Sequence, residues 1–262
     1  MEPNEDRRLW STTPRGLSLV LSELFRLGVP SVSARSLQKI LKEQKIYPVR
    51  DFEDYFEPIL PDAFITYHSA QNYVEVQEIA WQATTFASEL LGERRPDIDR
   101  IALEDLASDG VRLWIDFLFI DQRARDIRQE LNVLPKLLQG AQAHFVLGDQ
   151  PLSRAWCCYE IALFNQQCAE AEMSKLELRS FIAPTRTIYF GWDTTDVTEA
   201  QDKEFIAEQI EQWFPHGFDG FNHVMNQVNA TAVLSTTETA PHYPPAALST
   251  LTTAAAQWFD RM

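Results

Sequence analysis

The chain has 262 residues, of which 45% are hydrophobic, and its 23 Lys and Arg against 38 Asp and Glu give a formal net charge of −15. This length and apolar content suit one or two globular domains and exclude a disordered chain. The acidity disfavours nucleic acid and anionic membranes as partners, because both are bound through clustered Lys and Arg.

The sequence predicts neither secretion nor membrane insertion. No apolar stretch approaches the roughly 20 residues of a transmembrane helix, and the acidic start from Met1 to Asp6 is unlike a secretory signal. The cysteines are sparse: Cys157, Cys158 and Cys168. Such usage is typical of a reducing compartment, so we expect a cytoplasmic protein.

Residues 1–57 predict a helical N-terminal extension. Apolar residues recur at helical spacing from Leu17 to Phe25, and Gly28 and Pro30 follow as stop signals. A second short helix is expected after Ser33. Two such helices also suit a helix-turn-helix, but the acidity favours a helical hairpin that packs on the next domain.

Residues 58–195 alternate strand-like and helix-like segments, which predicts an α/β domain with a parallel sheet covered on both faces. Strands are predicted at 63–67, 111–115 and 143–147, with weaker candidates at 178–182 and 187–190, and helices at about 74–91, 126–138 and 154–171. Pro135 should kink the second of these helices.

Residues 196–262 predict a partly helical C-terminal tail that packs on the core. An amphipathic helix is expected around Ile206, Ile210 and Trp213. The Thr/Ala/Pro-rich segment from Thr231 to Pro245 is interpreted as a loop, and a short terminal helix is expected near 248–259.

Polar residues follow the predicted strands, and in open parallel sheets ligands bind at the carboxyl ends of the strands. Tyr67, His68 and Ser69 follow the first strand, Asp116 follows the second, and Ser153 and Arg154 come after the third. We therefore expect several polar groups to meet at one rim of the sheet.

Glu160 is the most informative of these residues. On a helix it shares a face with Trp156 and Cys157, at spacings of four and three residues. A carboxylate beside an indole and a thiol is partly desolvated, as functional carboxylates often are. The alternative is an ordinary solvated helix glutamate.

Three segments, in order, resemble Toll/interleukin-1 receptor (TIR) domains. Ser153-x-x-Trp156-Cys157-x-x-Glu160-Ile161 resembles their S-x-W-C-x-x-E-L motif, and Asp62–Tyr67 resembles their D-V-F-I-S-Y first strand. Residues 113–116 resemble their second strand, which precedes the BB loop. The likeness covers roughly residues 60–190. Residues 114–122 are also similar to the W-I-D-x-L-C-I-D-Q block of fungal heterokaryon-incompatibility domains.

The resemblance implies a flavodoxin-like parallel sheet and implies NAD as the substrate. Many TIR domains cleave NAD at the nicotinamide–ribose bond, and the motif glutamate, here Glu160, is their catalytic residue. It implies no metal and no cofactor beyond NAD as substrate. The other residues that the resemblance places around NAD are Tyr67, His68, Ser69, Asp116, Arg154, Trp156 and Cys157. Tyr67 would stack on a base, and His68 and Arg154 would meet phosphate.

The resemblance also implies a biological setting. TIR enzymes serve immune signalling, including bacterial defence against phage, and release ADP-ribose, a cyclic ADP-ribose isomer or an ADP-ribose conjugate. Self-association through TIR contacts and a downstream effector that senses the product would be the partners. The alternative is a non-catalytic TIR module that acts by self-assembly. Two departures concern the loops: an acidic insertion at 72–110, and no glycine at 117–124 in the BB-loop region.

Other chemistries fit the sequence less well. It contains neither G-x-G-x-x-G nor a Walker A motif, and its cysteines and histidines lack zinc-site spacing. Asp116, Asp121 and Asp149 suggest a magnesium-binding receiver domain, but the acidic pair after the first strand is missing. A Cys157–histidine nucleophile has nothing to orient it. Trp114 is expected to pack in the sheet.

Overall fold

The fold is seen in a computed structural model, which describes residues 6–30, 32–67, 76–94, 106, 108–121, 123–124, 126–147, 151–170, 192–197 and 200–238. In chain order, the elements are α1 (Pro14–Arg26), α2 (Ala34–Gln44), α3 (Pro48–Asp51), β1 (Ala63–Tyr67), α4 (Val76–Arg94), β2 (Leu113–Ile115), α5 (Asp116–Phe119), α6 (Ile127–Leu131), α7 (Leu134–Gly140), β3 (Ala143–Leu147), α8 (Ala155–Glu170), α9 (Ala200–Trp213) and α10 (Phe218–Glu238).

The three described strands form a parallel sheet in the order β2-β1-β3. All five residues of the central strand β1 are buried, as expected for a strand covered on both faces. The α/β class and the strands at 63–67 and 143–147 are confirmed, whereas β2 is two residues shorter than predicted. The strand candidates at 178–182 and 187–190 and the terminal helix near 248–259 lie outside the described residues.

Side-chain alternation gives the two faces of the sheet different neighbours. On one face, the His144 ring lies 5.3 Å from the ring of Phe164 in α8. On the other face, Phe145 lies 4.8 Å from Phe86 in α4. Thr66 shares the α8 face with Phe64, whose ring is 5.5 Å from that of His144. Helix α8 therefore covers the face toward which Thr66 points.

The N-terminal extension packs directly on the sheet. Thr12 and Leu113 exchange backbone hydrogen bonds of 3.0 and 2.6 Å, so a short N-terminal segment pairs antiparallel with β2. Helix α1 contacts α4, and α2 contacts α5. Thr13 caps α1 and Ser33 caps α2 through their side-chain oxygens. Gly28, at φ +84°, lies just beyond the end of α1.

The prediction of one kinked helix over 126–138 is wrong. The chain forms α6 and α7 instead, and Pro135 lies in the first turn of α7. Proline is tolerated there because the first-turn N–H groups have no partner within the helix. Pro135 therefore begins a helix and does not bend one.

The prediction of a loop from Thr231 onward is wrong for residues 231–238. Helix α10 begins after Gly217, which has φ +55°, and continues to Glu238. The prediction gave weight to the threonines and prolines of this segment. Alanine favours the helix, and no proline interrupts the segment before Pro241.

Gly16 in α1 should not tolerate a side chain. A Cβ there would overlap Thr12 Oγ1 and would lie 2.8 Å from the carbonyl oxygen of Tyr55. We expect Gly16→Ala to lower the free energy of unfolding by about 1–3 kcal/mol, although alanine in a helix is favoured by about 1 kcal/mol. Gly110→Ala is the control, since a Cβ at Gly110 meets nothing within 4 Å. Denaturant unfolding of both variants tests this, and a Gly16→Ala protein as stable as the native chain would contradict it.

Candidate functional site

The candidate site lies where β1 and β2 end and where α8 crosses the sheet. Tyr67 is the last residue of β1, and Asp116 directly follows β2. The Tyr67 hydroxyl donates a short hydrogen bond to Asp116 Oδ1. From the N-terminal extension, the Gln38 amide in α2 donates to the Tyr67 hydroxyl at 3.1 Å and to Asp116 Oδ2 at 2.9 Å. The extension therefore contributes a side chain to this rim.

Glu160 in α8 reaches the sheet through Thr66. The Thr66 hydroxyl donates to Glu160 Oε2 at 2.5 Å. The same hydroxyl lies 2.6 Å from Nε2 of His144 in β3. Thr66 and His144 are each only 2% exposed, so this contact occurs in the protein interior. Glu160 is partly buried and anchored, unlike a solvated helix glutamate.

Burial raises the pKa values of both carboxyl groups. The pKa of Glu160 rises from 4.5 to about 8, because burial and the charge of Asp116 outweigh the hydrogen bond from Thr66. The pKa of Asp116 rises to about 6, because burial outweighs hydrogen bonds from Tyr67, the Phe117 N–H and Gln38. Burial thus makes two negative charges at this position unfavourable.

Cys157 borders the site as a neutral thiol. Its Sγ lies 3.6 Å from the backbone oxygen of Tyr67. Burial, with the nearby charge of Glu160, raises its pKa well above the ordinary value, and the charge of Arg154 opposes this only in part. A thiol with a raised pKa is a poor nucleophile. The buried imidazole of His144 contacts the Thr66 hydroxyl, so the described geometry gives no support to a Cys–His nucleophile.

Two predicted site residues at the start of α8 have other described contacts. The Trp156 indole donates to Asp202 Oδ2 at 3.4 Å and lies 5.9 Å from the ring of Phe205, so it faces α9. Arg154 is half-buried, and its backbone bridges to Asp196. Their roles toward NAD stay predictions. His68 and Ser69 lie outside the described residues.

The segment after β2 begins as a helix. The sequence places the BB-loop region at Asp116 to Gln122, but Asp116–Phe119 forms α5. Phe117, Leu118 and Phe119 are fully buried. Burial of three consecutive apolar side chains places this turn in the core, so the expectation of a loop directly after β2 is wrong for these residues.

Three residues of the site were missed by sequence reasoning: Gln38, Thr66 and His144. Thr66 and His144 could have been found, because each is a polar residue inside an apolar strand, and buried polar groups need partners. Gln38 carries no such signal, since a glutamine on an amphipathic helix is ordinary.

No family model, curated protein or solved structure matches the chain. Within the described part of the chain, no helix is long and apolar enough to cross a membrane, and no three His, Cys, Asp or Glu side chains are grouped as metal ligands. A polar cavity of about 400 Å3 is lined by Glu23 and residues 50–55, which are not the predicted site residues.

Proposed function

We propose that this protein cleaves NAD at the nicotinamide–ribose bond, with Glu160 as the catalytic carboxylate. The observation that carries the proposal is the convergence of Glu160, Tyr67 and Asp116 at the carboxyl ends of β1 and β2. Ligands bind at this edge in open parallel sheets.

The electrostatics of the site support a cationic substrate. Oxidised NAD carries a positive charge on its nicotinamide ring. A cation bound beside Glu160 and Asp116 would lower the cost of ionising both carboxyl groups, whose pKa values are raised in its absence. The substrate would thereby generate the carboxylate that its cleavage requires.

Cleavage of the nicotinamide–ribose bond needs little help from a general acid. The bond from ribose C1′ to the ring nitrogen breaks with both electrons going to nitrogen, so nicotinamide leaves as a neutral molecule. The ribose becomes oxocarbenium-like, and a fixed carboxylate stabilises that positive charge. Water then adds at C1′ and loses a proton, giving ADP-ribose. Attack at C1′ by an adenine nitrogen, with loss of a proton, gives a cyclic ADP-ribose instead, and attack by an external nucleophile gives a conjugate.

The fold supports the same assignment. A sheet order of β2-β1-β3 is the beginning of the flavodoxin-like order 2-1-3-4-5. The three TIR-like segments fall on β1, β2 and the start of α8. We therefore extend the α/β class to a flavodoxin-like TIR domain at 58–195, between the N-terminal extension at 1–57 and the tail at 196–262.

The proposed role is immune signalling by an NAD glycohydrolase or cyclase, such as anti-phage defence in the cytoplasm. TIR sites are often completed by a neighbouring copy, so self-association belongs to the proposal. An effector that binds the nucleotide product would be the downstream partner.

The experiment is NAD turnover at increasing protein concentration, with nicotinamide quantified and the other product weighed by mass spectrometry. The proposal predicts nicotinamide release with a specific activity that rises with protein concentration. A mass of ADP-ribose, or a mass lower by one water, separates hydrolysis from cyclisation. No nicotinamide at any concentration, with the chain folded and self-associated, would favour the non-catalytic assembly module.

The pH dependence of kcat/KM should follow the ionisation of Glu160. The free protein must lose the Glu160 proton, and the pKa of that group is raised to about 8. We expect kcat/KM for NAD to rise about tenfold per pH unit from pH 6 and to level off above about pH 8. Initial rates of nicotinamide release across this range test it, and a profile that is flat or falls with pH would contradict it.

A further inference from the structure

We propose that Thr66 and His144 are positioning residues, which hold the Glu160 carboxylate in one orientation for NAD cleavage. The inference rests on the proposed function and deepens it. His144 is a buried histidine to which the proposed cleavage chemistry gives no role.

Proton counting fixes the direction of the hydrogen bonds. The Thr66 hydroxyl has one proton and two close neighbours, Glu160 Oε2 at 2.5 Å and His144 Nε2 at 2.6 Å. In the ionised state that cleavage requires, the Glu160 carboxylate only accepts hydrogen bonds. Thr66 must then donate to Glu160 and accept from His144. The imidazole therefore carries its proton on Nε2.

The surroundings of His144 favour that neutral tautomer. Its ring lies between Phe64 and Phe164, at 5.5 and 5.3 Å. This burial lowers the pKa of His144 to about 3, so the ring stays neutral at physiological pH. Its Nδ1 has no hydrogen-bond partner among the described residues. A bare lone pair there costs less than a buried N–H without an acceptor would.

The result is a directed chain of hydrogen bonds across three elements, from His144 in β3 through Thr66 in β1 to Glu160 in α8. Thr66 and His144 are held by neighbouring paired strands, whose register aligns Thr66 with Val146. A rigid sheet thus sets the direction of the hydroxyl proton. The Glu160 carboxyl group that it binds is oriented before NAD arrives, which lowers the cost of reaching the transition state.

Four other titratable groups interact electrostatically with Glu160. Asp116, directly after β2, raises the pKa of Glu160 by its charge. Burial, with a smaller contribution from the charge of Glu160, raises the pKa values of Tyr67, Cys157 and Tyr159, which stay neutral at physiological pH. Thr66 is the hydrogen-bond donor that opposes these effects of burial and charge, so its removal should be visible as a shift in the titration of Glu160.

The test uses Thr66→Val, which removes the hydroxyl at nearly constant shape, and Thr66→Ser, which keeps it. We expect Thr66→Val to lower kcat about 10-fold to 100-fold and to move the midpoint of the kcat/KM profile up by about one pH unit. Thr66→Ser should keep both kcat and the midpoint of the kcat/KM profile close to their native values. His144→Leu should lower kcat about fivefold, and should have no further effect in the Thr66→Val background, because it acts through Thr66.

A second measurement does not depend on activity. The difference in thermal midpoint between each protein and its Glu160→Gln derivative, followed from pH 4 to 9, reports the titration of Glu160. Thr66→Val should move that titration upward, and Thr66→Ser should not. Unchanged titration and unchanged kcat in a folded Thr66→Val protein would overturn the positioning role. A native chain that releases no nicotinamide, yet shows the shift, would overturn the enzymatic proposal while retaining the hydrogen-bond chain.

Discussion

Replacing Glu160 with glutamine is expected to lower NAD turnover at least about 100-fold, because one preorganised electrostatic contact to a transition state is worth that much or more. Glutamine keeps the size of the side chain and can accept the Thr66 hydrogen bond, but it carries no charge. Only the stabilisation of the oxocarbenium-like ribose is lost. The measurement is the rate of nicotinamide release at saturating NAD.

The same substitution should stabilise the protein at alkaline pH. The pKa of Glu160 is raised from 4.5 to about 8 in the folded chain. The contribution of neutral Glu160 to the free energy of unfolding is therefore fully present below pH 4.5 and is lost as the pH rises toward 8. Glutamine has no proton to lose. We expect its free energy of unfolding at pH 8.5 to exceed that of the native chain by about 1–3 kcal/mol, and the difference to vanish near pH 4.

Glu208→Gln is the matched control, since it makes the same chemical change at an exposed position of α9. It should leave turnover unchanged. A Glu160→Gln protein that keeps its turnover would remove Glu160 from the chemistry. One that loses turnover and stability together would indicate a structural role for this residue.

Truncating Trp114 is expected to cause the largest loss of stability. Its side chain is 0% exposed and stacks between Phe64, at 4.7 Å and 16°, and Phe119, at 5.7 Å and 14°. We expect Trp114→Ala to lower the free energy of unfolding by about 3–5 kcal/mol, since a buried aromatic leaves a large cavity.

Trp114 also connects the N-terminal extension to the sheet. Its indole N–H donates to the backbone oxygen of Arg8 at 2.8 Å. Trp114→Phe keeps much of the stacking but loses this bond, so it should cost less than Trp114→Ala. Trp213, at 40% exposure, provides the control, and Trp213→Ala should cost far less than Trp114→Ala in urea unfolding. Equal costs at the two positions would contradict the assigned core.

The sequence was most informative where burial enforces a pattern. Apolar runs of five residues predicted β1 and β3 at their observed bounds, because buried parallel strands must be apolar on both faces. The stop signals Gly28 and Pro30 likewise marked the end of α1. These features depend on local chemistry that a single chain segment carries.

The failures concern features decided by tertiary contacts. The sequence around Pro135 is compatible with a helix start and with a kink. In the fold, a short turn separates α6 from α7, so Pro135 lies at a helix start. A loop was expected directly after β2, but the residues there, Phe117, Leu118 and Phe119, are buried and belong to the hydrophobic core. Gln38 enters the site because α2 packs beside α5, and no spacing in the sequence reports a contact across 78 residues.

The central claim is that Glu160 is the carboxylate that cleaves NAD. It is tested most directly by nicotinamide release from the native chain and from Glu160→Gln, side by side at pH 8 and at equal, high protein concentration. The account predicts nicotinamide from the native chain and at least about a 100-fold slower release from the variant. Equal rates in the two proteins, or no release from a folded, self-associated native chain, would contradict it.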